Sequence, residues 1–218
     1  MSSIEAAAVA GLAFSFLSLV SLILLLRLPE PSSATAIEAY YSNPDERTLD
    51  SLSLNLAVFA AIMFLWFIAV IRRRMGDKQD RFVTTVFFGT GLIYAGLMLT
   101  GSLILVGPSI GIIYGEGVAP GQDVYTSVYG MGFGLLLIVV VRMQAVFVLT
   151  TSVLALRTHI LPRWLAILGF LVALVLLIIP IRDTPAILAF SVWVAIVSLA
   201  LLVRRRQIGP RLERMPEP

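Results

Sequence analysis

The chain has 218 residues, of which 59% are hydrophobic and 13% are charged, and it contains no cysteine. Its mean hydropathy is +0.96, whereas soluble domains are about 45–50% apolar and about 25% charged. This composition excludes an ordinary soluble enzyme, a disordered chain and a disulfide-stabilised secreted module, and it indicates an integral membrane protein. The formal net charge is +3. Most arginines cluster beside apolar segments, which is typical of the cytoplasmic side of a membrane and not of nucleic-acid binding.

Six apolar segments are long enough to cross a bilayer, because a transmembrane helix needs about 20 mostly apolar residues. They cover residues 4–28, 49–71, 82–106, 125–156, 164–181 and 185–203. Continuous apolar runs favour helices over the alternating strands of a membrane barrel. We therefore predict an all-α bundle of six transmembrane helices that forms one membrane domain over residues 1–218. The three residues Arg182-Asp183-Thr184 separate the last two spans, which predicts a tight helical hairpin.

The distribution of basic residues predicts the orientation. The connection after the second span, the connection after the fourth span and the tail over residues 204–218 hold 5, 2 and 5 Lys or Arg. The first and third connections are acidic. Because basic residues concentrate on the cytoplasmic side, both termini are expected in the cytoplasm. The first apolar run is longer than the core of a signal peptide and no basic residue precedes it, so we expect a retained span.

The outer connection over residues 29–48 is predicted to contain a short surface helix. Thr35 and Glu38 have the spacing of a capping box, and the Asn43-Pro44 pair is typical of a helix end. Tyr40 and Tyr41 suit the headgroup layer of the membrane. Two interpretations stay open: an ordered loop with interfacial anchors, or a lid over an outward-facing pocket. The third connection, from Gly107-Pro108 onward, is rich in glycine and is predicted to be a flexible outer loop.

Small residues four positions apart predict close helix packing in the third and fourth spans. We expect these spans to pack on each other or on a neighbouring copy. A glycine hinge, or bare backbone facing a cavity, is the alternative. The pairs are Gly91 with Ala95, Gly96 with Thr100, and Gly130 with Gly134.

Arg142 lies inside an otherwise apolar stretch of the fourth span. A charge at this depth is costly unless it faces protein or water. Counting residues from the cytoplasmic boundary places Asn55 and Tyr94 at a similar depth. Two interpretations stay open for this predicted cluster: a structural contact, or an anion- or headgroup-binding site that opens outward. Gln144 must point away from Arg142, because it stands about 200° around the helix.

The sequence favours no catalytic site. It has one histidine, His159, and one lysine, Lys78, so neither a bis-histidine haem nor a lysine Schiff base inside the membrane is expected. No metal-binding motif is present, and we expect neither a cofactor nor a metal. The leading prediction is a non-enzymatic accessory, structural or assembly subunit whose partners are membrane lipid and either further copies or another membrane subunit. The alternative is a small transporter or channel that uses Arg142, and a lipid-acting enzyme ranks third.

Three stretches carry a resemblance to known proteins. They are Ala39-Tyr40-Tyr41 with Arg47, the run from Phe64 to Ala69 before Arg72, and the run from Arg157 to Leu165. With these stretches the chain resembles a group of uncharacterised bacterial, largely actinobacterial, multi-pass membrane proteins to which no activity is assigned. The resemblance implies a six-span protein of the bacterial cytoplasmic membrane, and it implies no mechanism.

Overall fold

The computed structural model describes residues 3–75, 81–115, 117–158, 162–178 and 185–212, and every regular element in this part of the chain is a helix. In chain order the elements are α1 (Ser3–Leu25), α2 (Ala34–Ser42), α3 (Pro44–Met75), α4 (Arg81–Tyr114), α5 (Gln122–Gly134), a π-helical segment (Leu135–Val140), α6 (Val141–Thr158), α7 (Arg163–Ile178) and α8 (Pro185–Leu212). The all-α prediction is confirmed.

Four continuous helical stretches in the described residues are long and apolar enough to cross a membrane. They are Glu5–Leu25, Pro44–Arg73, Phe82–Tyr114 and Gln122–Thr158. The helices of the predicted fifth and sixth spans are apolar too, but their apolar stretches, Arg163–Ile178 and Leu188–Val203, are shorter than 18 residues. The six-span count and the orientation of the termini therefore stay predictions. The predicted turn at Arg182-Asp183-Thr184 lies outside the described residues, as do Lys78 and His159.

The helix α3 packs on both α1 and α4, which contact each other little. α1 packs mainly on α3 and α8, and α4 packs on α3, α5, the π-helical segment and α6, while α7 lies against α6. Contacts between α7 and α8 are few, although these helices follow each other in sequence.

Aromatic rings from five helices meet in the middle of the bundle. The ring of Phe64 on α3 lies 4.8 Å from Phe14 on α1, 5.0 Å from Tyr94 on α4 and 5.2 Å from Phe147 on α6, between ring centroids. Phe190 on α8 contacts Tyr94 at 4.8 Å. All five side chains are fully buried, and edge-to-face contacts at these distances stabilise a core beyond the burial of apolar area alone.

The surface helix α2 forms where the sequence predicts one, but its cap lies two residues earlier. Ser33 is the N-cap, and its hydroxyl oxygen accepts a hydrogen bond from the backbone N–H of Ala36 at 3.2 Å. The Thr35 hydroxyl instead lies 3.1 Å from that of Ser33. The structure therefore replaces the predicted Thr35–Glu38 capping box with a serine cap, because Ser33 is the residue with extended backbone geometry.

One dipeptide ends α2, as its sequence indicates, and also begins α3, which starts at Pro44 and not at residue 49 as predicted for the second span. The backbone N–H of Asn43 donates to the carbonyl of Tyr40, and its side-chain oxygen accepts from the N–H of Asp45 at 2.9 Å. Pro44 is the first residue of α3, where its missing N–H carries no penalty. This arrangement folds α2 back over the outer end of α3.

The outer end of α4 differs from the prediction. Gly107 and Pro108 lie inside the helix, which continues to Tyr114 before the connection to α5 begins. Proline removes one backbone hydrogen bond, but Ile112 beyond it packs against a buried group formed by Ile37, Tyr41 and Tyr125. Tertiary contacts therefore hold the extra turns, and the predicted glycine-rich outer loop becomes shorter.

Candidate functional site

A buried carboxylate lies at the end of the bundle where α2 packs, which is the predicted outer end. Asp50 on α3 is 1% exposed. One of its carboxylate oxygens accepts a hydrogen bond from the Tyr40 hydroxyl at 2.8 Å, and the other accepts from the fully buried Ser109 hydroxyl. Both donors are neutral. Buried carboxylates are normally paired with a cation or protonated, so this environment is unusual.

Three helices build this site. Asp50 stands in the second turn of α3, Tyr40 reaches it from α2, and Ser109 reaches it from the part of α4 that continues beyond Pro108. The aspartate precedes the apolar run of α3 directly, which is the sequence signal for a carboxylate at the membrane boundary. Ser109 had no such signal, because a glycine-proline pair normally predicts the end of a helix.

The Tyr41 side chain completes what we call the outer cluster: Tyr40, Tyr41, Asp50 and Ser109. Tyr41 is 1% exposed, and its hydroxyl has no hydrogen-bond partner in the described residues. Burial is the main cause that raises the pKa of Tyr41, and the negative charge of Asp50 adds to it. Burial likewise raises the pKa of Tyr40, followed by its hydrogen bond to Asp50. Both phenols therefore stay protonated over the physiological pH range.

Aromatic contacts fasten the outer cluster to the start of α5. The rings of Tyr41 and Tyr125 meet edge to face at 5.8 Å, and the Tyr125 hydroxyl donates to the carbonyl of Pro29 at 2.6 Å. The amide nitrogen of Gln122 donates to the carbonyl of Pro31 at 3.0 Å. The connection between α1 and α3 is therefore ordered, and these contacts hold it against α5.

A charged pair lies beside the outer cluster. Arg27 donates to Glu46 at 2.8 Å, and both side chains are partly exposed. The second carboxylate oxygen of Glu46 and the Nε atom of Arg47 are buried and have no hydrogen-bond partner in the described part of the chain. Arg27 and Glu46 both act electrostatically on Asp50 without bonding to it.

The structure does not join Arg142, Asn55 and Tyr94 by hydrogen bonds. Arg142 is half-buried and donates to the carbonyl of Leu137, in the π-helical segment, at 3.3 Å. Asn55 lies on the exposed face of α3 and donates to the carbonyl of Ser51 on its own helix. Tyr94 is buried and donates to the sulfur of Met98 at 3.1 Å. Equal depth therefore does not bring these residues together, because their directions around their helices differ.

Gln144 is one of the buried polar residues of this region. It is 1% exposed, and its side chain lies beside the Tyr94 hydroxyl, as does Ser18. Its amide oxygen has no hydrogen-bond partner in the described residues. Ser18 and Ser191 face each other with 2.9 Å between their hydroxyl oxygens. The polar side chains of Ser18, Tyr94, Gln144 and Ser191 thus lie in the middle of the bundle. The sequence predicts only that Gln144 turns away from Arg142.

The predicted small-residue pairs fall on different faces. Gly91 and Ala95 are buried, and a Cβ atom at Gly91 would lie 3.2 Å from Ile68. Gly96 and Thr100 are exposed. A Cβ atom added at Gly96, Gly130 or Gly134 would have no neighbour within 4 Å in the part of the chain that the structure describes. These three glycines therefore serve no close packing between the described helices.

Close packing inside the chain uses other glycines. A Cβ atom at Gly132 would lie 2.5 Å from the Leu105 side chain, and one at Gly101 would lie 2.7 Å from Leu136. These contacts join α4 to α5 and to the π-helical segment. A Cβ atom at Gly11 would likewise lie very close to the Ser198 side chain, and one at Gly169 very close to the Ser152 side chain.

Comparisons with protein-family models, with curated proteins and with solved structures found no match. The assignment of function therefore depends on geometry. The described residues contain no group of three His, Cys, Asp or Glu side chains that suits a metal. Chemically, the outer cluster offers one buried negative charge surrounded by hydroxyl groups, which suits the binding of a positive charge or a proton.

Proposed function

We propose that the chain is a six-span protein of the bacterial cytoplasmic membrane, with both termini in the cytoplasm, that acts as a non-enzymatic accessory or assembly subunit. In this proposal it belongs with the bacterial multi-pass proteins that it resembles. Its partner is a second copy of the same chain, and a different membrane subunit is the alternative partner. The observation that supports the proposal is the arrangement of small residues on α4 and α5, on faces that do not pack against other described helices.

Exposed small residues mark two helix faces as association surfaces. The exposed residues Gly96 and Thr100 stand one turn apart on α4, and the exposed Gly130 stands one turn from the half-buried Gly134 on α5. A Cβ atom at any of the three glycines would meet no atom of another helix within 4 Å among the described residues. Small residues let the backbones of two membrane helices approach closely, and the resulting van der Waals contacts favour association of the helices. The middle of the bundle, by contrast, is filled by aromatic side chains, which favours a packing role over an open pore.

Single cysteines test this association directly, because the chain has none of its own. We expect Thr100→Cys to form a disulfide between two copies in native membranes. The matched control is Phe16→Cys, which is 68% exposed on α1 and is expected to form none. Adding Gly96→Leu to Thr100→Cys should suppress the cross-link. Equal cross-linking at both positions, or a monomer in lipid nanodiscs with no cross-link, would contradict the proposal.

A second candidate function has its own observation. Arg142 uses one of its five N–H donors, in a long bond of 3.3 Å to Leu137. The accepting carbonyl belongs to a π-helical segment, and such segments occur frequently at functional sites. This arrangement favours a transporter or lipid-binding protein that holds an anion or a headgroup phosphate at Arg142.

Ligand-dependent stability separates this candidate from a purely structural arginine. If Arg142 binds an anionic headgroup, adding phosphatidylglycerol should raise the melting temperature of the parent. Arg142→Leu should keep the fold and lose this rise, and Arg142→Lys should recover little of it, because an ammonium cannot bind in bidentate fashion. An unchanged response of Arg142→Leu would exclude the site.

The proposed orientation is tested by labelling single cysteines in intact cells with an impermeant reagent. Ser33→Cys and Gly117→Cys should react from outside. Gly76→Cys and His159→Cys should react only after the membrane is opened. Outside labelling at Gly76, or none at Ser33, would reverse the proposed topology.

A further inference from the structure

We propose that the outer cluster binds a monovalent metal cation of the sodium class at Asp50, with the hydroxyls of Tyr41 and Ser109 as further ligands. The site would join α2, α3 and α4 at the outer end of the bundle. It is independent of the association surface proposed above, since Gly96 and Gly130 lie on exposed faces of other turns.

The first argument is the charge of Asp50. Its side chain is 1% exposed, and its two hydrogen bonds come from neutral hydroxyls. The neighbouring arginine, Arg27, is bound to Glu46 and acts on Asp50 only through space. Removing a carboxylate from water is costly unless a positive charge compensates it or a proton neutralises it. A bound cation supplies that charge.

The second argument is independent of the carboxylate. The Tyr41 hydroxyl is buried and has no hydrogen-bond partner in the described residues, whereas buried hydroxyls are nearly always satisfied. Tyr41 directly follows Tyr40, whose hydroxyl binds Asp50, and the rings of the two tyrosines meet edge to face at 5.4 Å. This unpaired hydroxyl oxygen is the ligand that Tyr41 contributes to the proposed site.

The donor set selects the class of ion. The proposed ligand atoms are all oxygens: a carboxylate, a phenol and an aliphatic hydroxyl. Oxygen ligands suit hard cations, and imidazole or thiolate ligands suit transition metals. Calcium sites normally use several carboxylates, whereas Asp50 contributes one, and no group of three acidic, histidine or cysteine side chains occurs in the described residues. A single negative charge matches a monovalent ion.

The thermal stability of the purified full-length protein tests this inference. Unfolding is compared in sodium, lithium, potassium and choline chloride at equal ionic strength and pH. We expect sodium to raise the melting temperature over choline by roughly 5 °C at about 100 times its dissociation constant. Asp50→Asn should remove this rise. The matched control is Asp45→Asn, an exposed acidic residue of the same helix, which should keep it.

Tyr41→Phe gives a second, milder test in case Asp50→Asn does not fold. It removes one oxygen that is free of other bonds, so the protein should fold and its sodium response should weaken. Equal melting temperatures in all four salts would overturn the inference. A sodium response that survives in both Asp50→Asn and Tyr41→Phe would also overturn it. The inference would also be overturned if acidic pH raised the melting temperature while no metal cation did. A proton alone would then neutralise Asp50.

Discussion

The Tyr40 hydroxyl donates a 2.8 Å hydrogen bond to the Asp50 carboxylate and so ties the surface helix α2 to α3. The two residues are ten positions apart in the chain, and the bend at Asn43-Pro44 brings them together. Ser109 binds the other carboxylate oxygen from α4. The position of α2 is thus coupled to a buried charge.

Tyr40→Phe should loosen α2. It leaves one oxygen of a buried carboxylate without a donor, which costs about 1–3 kcal/mol. We expect a lower melting temperature and faster hydrogen exchange over α2. Tyr114→Phe is the matched control, because Tyr114 is 79% exposed and should change neither quantity. Unchanged exchange in Tyr40→Phe would mean that other contacts hold α2.

Alkaline pH should destabilise the protein. Burial raises the pKa of Tyr40 and Tyr41, so the unfolded chain loses these protons at a lower pH than the folded one. Their contribution to stability is fully present below the unfolded pKa of about 10 and is lost as pH rises toward the folded pKa. Replacing both tyrosines with phenylalanine should flatten part of the decline in melting temperature above about pH 10. An unchanged slope would contradict this assignment.

Gly132→Ala and Gly130→Ala should differ sharply, although they stand two residues apart. The new methyl group at position 132 would lie 2.5 Å from Leu105, whereas the one at position 130 would meet nothing within 4 Å. We expect Gly132→Ala to lower stability by roughly 1–3 kcal/mol, and Gly130→Ala to be neutral or slightly stabilising, because alanine favours helix. Thermal unfolding of the monomer in detergent compares them. Equal stability would mean that Leu105 moves aside freely.

Asn55→Leu should be nearly neutral. Depth alone predicts Asn55 as a partner of Arg142, in which case the change would leave a buried charge without a partner. In the structure Asn55 is exposed and bonds its own helix, and Arg142 bonds Leu137. We therefore expect a change within about 0.5 kcal/mol for Asn55→Leu. Thermal unfolding of Asn55→Leu with and without Arg142→Leu measures any coupling. A coupling well above that value would restore the predicted pair.

Periodicity limited what could be predicted of the site. The sequence indicates how high a residue stands along its helix, since each residue adds 1.5 Å. It does not show which way the side chain faces in a helix that is apolar on all sides. This is why depth groups Asn55 with Arg142, and why only the structure shows that the Gln144 side chain is buried.

The sequence by itself determined the all-helical fold, the presence of helices long and apolar enough to cross a membrane and the C-terminal end of α2, because apolar run length, composition and the Asn43-Pro44 signal act locally. Only the tertiary structure decided that α4 continues through Pro108 and that Ser109 meets Asp50. It also decided that Gly132, and not Gly130, allows close packing. The physical reason is the same in each case: packing between helices outweighs a local breaker signal, and whether a small residue is needed depends on which neighbouring side chain faces it.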